Sequence, residues 1–101
     1  MKQKRFAITA KIWIYSGENA SWHFLTIPKD VTLLINKKFA GVKRGWGSLP
    51  VEATLGKTIW KTSIFPDTKS RTYILPLKAL VRRQEGIEAG DQTAVTITIL
   101  P

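Results

Sequence analysis

The chain has 101 residues and no cysteine, so it is long enough for one domain with a modest core and can form neither a disulfide nor a thiolate metal site. Its formal net charge of +9 would attract polyanions at low salt, although such a charge also serves solubility alone. No apolar run approaches the roughly 20 residues of a membrane span, and the N-terminus lacks the continuous apolar run of a signal peptide. We therefore expect a single soluble cytoplasmic domain over residues 1–101.

Six short stretches are predicted as strands, and several of them alternate apolar and polar residues with the period of two that is typical of strands with one buried face. The first two flank the turn SGEN and are expected to pair as a hairpin over residues 5 to 27. Six or so short strands in a chain of this length indicate a small barrel. The predicted strands are RFAITAKIWIY (5–15), SWHFLTI (21–27), SLPVEATL (48–55), TIWKTSIF (58–65), RTYIL (71–75) and TAVTITIL (93–100).

Two short amphipathic helices interrupt this series of strands. The first is predicted in DVTLLINKKF (30–39), and the second begins at Pro76, because proline is tolerated at a first helical position. Gly86 is expected to end the second helix in the left-handed conformation. Each helix has apolar residues at i, i+3 and i+4, which predicts packing on the sheet. These residues are Val31, Leu34 and Ile35 in the first helix and Leu77, Leu80 and Val81 in the second.

The two halves of the chain follow the same pattern. WHFLTIPKDVTLLI and RTYILPLKALVRRQ both read strand, proline, short amphipathic helix, and a strand follows each helix. This indicates an internal repeat of about residues 5–55 and 56–101. The two copies are expected to pack about a pseudo-two-fold axis, because neither could cover its strands alone.

Two family resemblances rest on longer stretches. ILPLKALVRRQEGIEAGDQTAVTI resembles the swapped-hairpin element of the AbrB/MazE type, DNA-binding regulators and antitoxins that dimerise into a double-split β-barrel. Nearly the whole chain resembles the bacterial domain-of-unknown-function family 1905, which implies one chain carrying both halves of such a barrel, and hence a monomer, without an established activity. The expected fold is therefore all-β, a small double-split β-barrel with two short helices and a pseudo-two-fold internal repeat. The matching pieces are Trp22 and Phe24 before Ile27-Pro28, then Trp60-Lys61-Thr62-Ser63, Pro66, Tyr73, Pro76-Leu77-Lys78, Arg82 and Gly90-Asp91.

The chain offers little for catalysis or for cofactor binding. Its one histidine, His23, lies in a predicted strand, and no spacing requires it to act as a base for Ser63 or beside Asp67. One histidine and seven scattered carboxylates form no metal-ligand pattern. The loop GVKRGWG lacks the Gly-Lys-Ser/Thr ending of a Walker loop. We expect a non-enzymatic binding module without a cofactor.

A basic surface for nucleic acid or another polyanion is the first candidate site. An exposed Trp46 beside Lys43 and Arg44 could stack on a base, and the alternative is that it closes a barrel end as a lid. One observation opposes the analogy with swapped-hairpin DNA binders: these use basic residues at the start of each chain, and MKQKR supplies that end only once. The residues predicted to bind are Lys43, Arg44, Trp46, Arg71, Arg82 and Arg83, the last three converging with Lys78.

A pocket is the second candidate site, and it would take a small molecule or a segment of a partner protein. Polar residues alternate with Trp60 on one predicted strand, and inward polar residues there would mark a ligand pocket. Salt separates the two candidates, since polyanion binding weakens steeply as salt rises. The pocket residues are Trp60, Lys61 and Ser63.

Overall fold

A computed structural model describes residues 4–17, 20–39, 41 and 47–101. Strands dominate the described residues and two helices occur among them, so the prediction of a mainly β domain is confirmed. Neither described helix has the length and apolar character needed to cross a membrane. In chain order the elements are β1 (Arg5–Lys11), β2 (Trp13–Ser16), β3 (Ser21–Thr26), α1 (Lys29–Phe39), β4 (Leu49–Leu55), β5 (Thr58–Asp67), β6 (Thr72–Pro76), α2 (Ala79–Glu85) and β7 (Gln92–Ile99).

The strands form one antiparallel sheet that curls into a half-barrel. Their order across it is β1-β7-β4-β5-β6-β3-β2. The two edge strands, β1 and β2, are separated along the chain by Ile12 alone, so the sheet must curl to bring its edges together. The concave side holds the core, to which alternate residues of the central strands contribute. These include Leu49, Val51, Ala53 and Leu55 of β4 and Val95, Ile97 and Ile99 of β7.

The predicted strand 5–15 is two strands, and the predicted hairpin over residues 5 to 27 is wrong. β1 pairs with β7, whereas β2 pairs with β3. The change occurs at Ile12, whose N–H donates to the carbonyl oxygen of Asp91 (2.9 Å) and whose carbonyl accepts from the N–H of Gly90 (2.8 Å). The hairpin is therefore confined to β2 and β3.

β5 also changes its partner partway along. It pairs with β4 as far as the pair Leu49 and Ile64, and it pairs with β6 from the pair Phe65 and Ile74 onward. The first part of β5 therefore runs apart from the end of β6. The resulting gap lies between two strands of the same sheet and is the setting of one of the two hollows described below.

α1 packs on the sheet through a stripe that differs from the predicted one. Leu34 is exposed, and a threonine takes its place facing the core. The Thr32 hydroxyl donates to the carbonyl oxygen of Ile27 (3.3 Å) and accepts from the N–H of Tyr73 (3.3 Å). These two hydrogen bonds allow a polar side chain to be buried. The buried residues of α1 are Thr32, Ile35 and Phe39.

α2 is shorter than its pattern predicts and buries a single residue, Val81. Pro76 is the last residue of β6 and not the first of the helix, so the helix begins at Ala79 and Leu80 points to solvent. Gly86 ends α2 in the left-handed conformation, with φ +63°, as predicted. Seven helical residues make about two turns, which leaves room for only one buried position.

Replacing Gly56 by alanine is expected to destabilise the fold by about 2–3 kcal/mol. Gly56 has φ +59°, and a Cβ atom there would overlap the carboxylate of Glu85. A left-handed residue with a side chain costs about 1–2 kcal/mol. Displacing Glu85 would also break its hydrogen bond from the Thr58 hydroxyl (2.6 Å), which is worth about 1 kcal/mol more. Urea denaturation would measure the loss.

Gly86 is the matched control for this substitution. Its φ of +63° is nearly that of Gly56, but a Cβ atom there meets nothing within 4 Å. Alanine at Gly86 should therefore cost only the backbone term of about 1–2 kcal/mol. Equal losses for the two substitutions would mean that Glu85 moves aside freely and that its bond to β5 contributes nothing.

Candidate functional site

An apolar surface covers the outward side of β2, β3, β6 and the end of β5. Residues directly opposite each other in antiparallel strands lie on the same side of a sheet. The strand pairing therefore aligns aromatic side chains from three strands. We call this surface the aromatic face. The cross-strand pairs are Trp13 with Phe24, Tyr15 with Trp22, Phe24 with Pro76 and Phe65 with Ile74.

Three of these rings are well exposed. The exposed fractions are 57% for Tyr15, 53% for Trp22 and 42% for Phe65. Large apolar side chains gathered at one place on a surface usually mark an interaction site. Between them lies a shallow hollow of about 350 Å³. It is lined by Tyr15, Trp22, Phe24, Phe65, Ile74 and Pro76.

The rings of the aromatic face differ in how firmly they are held. Trp13 donates from Nε1 to the hydroxyl of Thr26 (2.9 Å), and its ring lies 5.1 Å from that of Phe24 in a tilted arrangement. Trp22 lies 6.5 Å from the same Phe24 ring at an interplanar angle of 15°. Trp13 and Phe24 thus form a fixed base, beside which the ring of Trp22 presents a nearly parallel, half-exposed plane.

A second hollow, the lysine pocket, occupies the gap between β5 and the end of β6. Its volume is about 220 Å³. Trp22 and Pro76 line it as well as the hollow of the aromatic face, so the two hollows are neighbours. Its lining residues are Trp22, His23, Trp60, Lys61, Thr62, Pro76, Leu77 and Lys78.

The lysine pocket is apolar inside and cationic at its mouth. Trp60 is buried, whereas Lys61 on β5 and Lys78 just before α2 are both exposed. Glu52 stands opposite Lys61 on the neighbouring strand β4 and partly offsets its charge. The arrangement suits a flat ring inside the pocket with negative charge at the entrance.

His23 forms part of the pocket wall and is held by Arg82. Arg82 donates from Nε to the carbonyl oxygen of Leu77 (3.2 Å), and its NH1 lies 3.2 Å from Nε2 of His23. A guanidinium can only donate, so Nε2 accepts and a neutral ring carries its proton on Nδ1. Nδ1 is buried and has no hydrogen-bond partner among the described residues. Burial, and secondly the charge of Arg82, lower the pKa of His23 below its ordinary value of 6.5.

Stability should therefore fall as the pH drops below about 6.5. His23 is the only histidine in the chain, and its lowered pKa means that the unfolded chain takes up a proton before the folded one does. The stabilising effect of a neutral His23 is thus present above the unfolded pKa and is lost as the pH falls toward the folded pKa. Urea midpoints at pH 7 and pH 5.5 would measure the change.

Replacing His23 by glutamine is the control, since glutamine can still accept from Arg82 and does not titrate. The variant should have nearly the same urea midpoint at both pH values, because no histidine remains in it to change its charge between them. A native chain that is as stable at pH 5.5 as at pH 7 would contradict a neutral His23 ring with a buried Nδ1.

Those residues predicted for a basic surface that the structure describes do not form one cluster. Lys43, Arg44 and Trp46 lie outside the described residues. Arg71 precedes β6 and Lys78 follows it, which separates them by the length of a five-residue strand, about 16 Å. Arg71 takes part in the β5–β6 turn, where it adopts φ +58° and donates from its N–H to the carbonyl oxygen of Asp67 (2.8 Å).

The other predicted residues divide between two places. Arg82 and Arg83 line a separate shallow hollow on α2, although Arg82 also supports His23. Trp60 and Lys61 line the lysine pocket, as the pocket hypothesis has it, whereas Ser63 is half-buried and is not part of the lining. No hydrogen bond joins His23 to Ser63 or Asp67 in the described part of the chain, and no group of His, Asp and Glu side chains there could hold a metal.

The sequence prediction missed the aromatic face. Tyr15 and Phe65 carry none of the charge on which that prediction relied. A signal was present, since aromatic residues occupy alternate positions on both strands of the β2–β3 hairpin. The contribution of β5 could not be read locally, because Phe65 reaches this face only through β6.

The comparisons with known proteins bear on the family. No curated protein matches the chain. The model of a family described as Domain of unknown function (DUF1905) matches residues 9–97, which include every element described above except the first residues of β1 and the last residues of β7. The predicted resemblance to this family is confirmed, and the chain belongs to the DUF1905 family.

Proposed function

We propose that the curled sheet is a double-split β-barrel built from two copies of one strand–proline–helix–strand unit, with AbrB/MazE-like halves. The partner change of β5 after Ile64 corresponds to the change between β1 and β2 at Ile12. In this correspondence β3 matches β6, β4 matches β7 and α1 matches α2. The gap that holds the lysine pocket is then one of the two splits.

Hydrogen bonds at equivalent positions support the duplication. Ile27 donates to the carbonyl oxygen of Tyr73 (2.8 Å), and Leu77 donates to that of His23 (2.8 Å). The two donors, Ile27 and Leu77, are separated along the chain by the same number of residues as the two acceptors, His23 and Tyr73. The Thr32 bond to Ile27 (3.3 Å) and the Arg82 bond to Leu77 (3.2 Å) follow the same offset. Such reciprocity is expected of a repeat packed about a pseudo-two-fold axis.

We propose further that the chain is a non-enzymatic module that binds single-stranded nucleic acid on the aromatic face. The observation that carries the proposal is the position of Trp22, a half-exposed ring on the aromatic face that also lines a pocket bordered by two lysines. Sequence-tolerant binding of single strands combines aromatic rings, on which bases stack, with cations that follow the backbone. A duplex would have its bases stacked within the helix, out of reach of these rings.

The charge of the chain is consistent with this ligand. A formal net charge of +9 attracts a polyanion over a Debye length of about 8–10 Å at ordinary salt. An apolar protein partner would gain nothing from that charge, and a purely electrostatic ligand would gain nothing from the exposed rings. A single strand uses both features.

Titration of a fluorescently labelled single strand at several salt concentrations tests the proposal. We expect binding whose log affinity falls linearly with log salt, since each phosphate contact releases counterions, together with weaker binding of the matching duplex. Absence of binding at about 50 mM salt, where phosphate contacts are strong, would refute the proposal. Equal affinity for duplex and single strand would remove the role of the aromatic face.

A small-molecule site in the lysine pocket is the second candidate function. Its support is that Trp60 and Lys61 line a hollow whose surface is mainly apolar. A ligand held mainly by apolar contact would raise the melting temperature in a metabolite screen by mass action, with little dependence on salt. The single-strand proposal requires strong dependence on salt, so one salt series separates the two candidates.

A further inference from the structure

We infer that the lysine pocket takes the terminal nucleotide of the bound strand, with its terminal phosphate between Lys61 and Lys78. This inference rests on the proposed binding of a single strand to the aromatic face. It adds that the strand is recognised by its end, which stacking along a sheet surface does not require.

The size of the lysine pocket limits what it can hold. Its volume of about 220 Å³ lies below the roughly 300–1,000 Å³ that is usual for sites of drug-sized ligands. It therefore fits one ring system and not a longer chain. Its walls suit a planar ring, because the indole rings of Trp22 and Trp60 and the side chains of Pro76 and Leu77 line it.

Both ends of the gap are closed along the strand direction. At one end the hydroxyl of Thr58 donates to the Glu85 carboxylate of α2 (2.6 Å). At the other end the strands come together again at the pair Phe65 and Ile74. A strand that enters over Trp22 from the aromatic face therefore cannot run on along the gap, and we infer that its end occupies the pocket.

Charge places the phosphate at the mouth of the pocket. Lys61 and Lys78 stand on different elements and border the same pocket. The Glu85 carboxylate occupies the far end of the gap and repels a phosphate there. A terminal phosphate carries more charge than an internal one, because its second ionisation is near pH 6. The ammonium groups of Lys61 and Lys78, which can approach a phosphate from two directions, therefore favour a terminal phosphate over an internal one.

The test compares three labelled oligonucleotides of one sequence, bearing a 5′-phosphate, a 3′-phosphate or hydroxyl groups at both ends. We expect one of the phosphorylated strands to bind about tenfold more tightly than the hydroxyl-ended strand, which is the contribution of one charge-assisted hydrogen bond. The preferred end identifies the direction of the strand. Substituting Lys61→Ala and Lys78→Ala together should abolish the preference while the hydroxyl-ended strand still binds.

The control removes the same charge from another surface. Lys29 and Lys37 are exposed on α1, and the pair Lys29→Ala and Lys37→Ala should keep the preference for the phosphorylated end. A preference lost equally in both double variants would reflect net charge and would overturn the inference. Equal binding of all three strands by the native chain would overturn it too, and would leave the single-strand proposal intact. Binding of none of the strands would overturn both.

Discussion

Replacing Trp22 by alanine is expected to weaken binding of a single-stranded oligonucleotide by about 10- to 100-fold, because stacking on one aromatic ring contributes about 1–3 kcal/mol per base. Trp22 should have the largest effect of the aromatic residues, since it lines both hollows. Its exposed fraction of 53% means that the substitution opens no large cavity. Fluorescence anisotropy of a labelled oligonucleotide measures this loss without relying on the tryptophan that is removed.

Two further variants identify what the ring contributes. Trp22→Leu keeps apolar surface but removes the aromatic plane, so it should lose nearly as much affinity as alanine. Leu33→Ala removes an exposed apolar side chain from α1 and should leave binding unchanged. Full binding of the oligonucleotide by Trp22→Leu would contradict base stacking, because apolar surface at this position would then be sufficient.

The sequence predicted those features of the fold that depend on neighbouring residues. Alternation over Leu49, Val51, Ala53 and Leu55 identified β4 and its buried side correctly, because strand periodicity is a local property. Gly86 was identified as the end of α2 for a similar reason: a left-handed residue suits glycine wherever the helix packs.

The pairing of strands could not be predicted in the same way. Alternation continues through Ile12 without interruption, although the strands on either side of it pair with partners at opposite edges of the sheet. The residues that fix this change are Gly90 and Asp91, which bind the backbone of Ile12 and lie in the other half of the chain. No local pattern carries that information.

The candidate site was missed because neither side of β3 is clearly the polar one. In β3, Trp22 and Phe24 alternate with His23 and Leu25, and periodicity alone does not say which pair faces solvent. The charge pattern points instead to Arg71, which contributes to a turn at the opposite end of β6. The pairing of β3 with two other strands decides which of its sides faces solvent. That pairing belongs to the tertiary structure and is not visible in the local sequence.

Replacing Ile64 by alanine is expected to lower the free energy of unfolding by about 2–5 kcal/mol, the usual range for a buried isoleucine. Ile64 is 0% exposed and is the last residue of β5 to pair with β4 before the strand turns toward β6. Because small domains have a total stability of about 5–15 kcal/mol, this single substitution removes a large fraction of it. Urea denaturation followed by tryptophan fluorescence measures the loss.

Ile59 provides the control on the same strand, since it is 62% exposed and its replacement by alanine should change stability by less than about 0.5 kcal/mol.

Ile12 is the more informative comparison. It is 1% exposed and stands at the other change of partner, so a duplicated barrel requires Ile12→Ala to cost about as much as Ile64→Ala. A loss below about 1 kcal/mol at Ile12, with the full loss at Ile64, would mean that the two positions are not equivalent, because equivalent core sites lose similar transfer and cavity energies. That result would argue against two matching halves. Similar losses at Ile12 and Ile64 would support the duplication by stability, as the reciprocal hydrogen bonds support it by geometry.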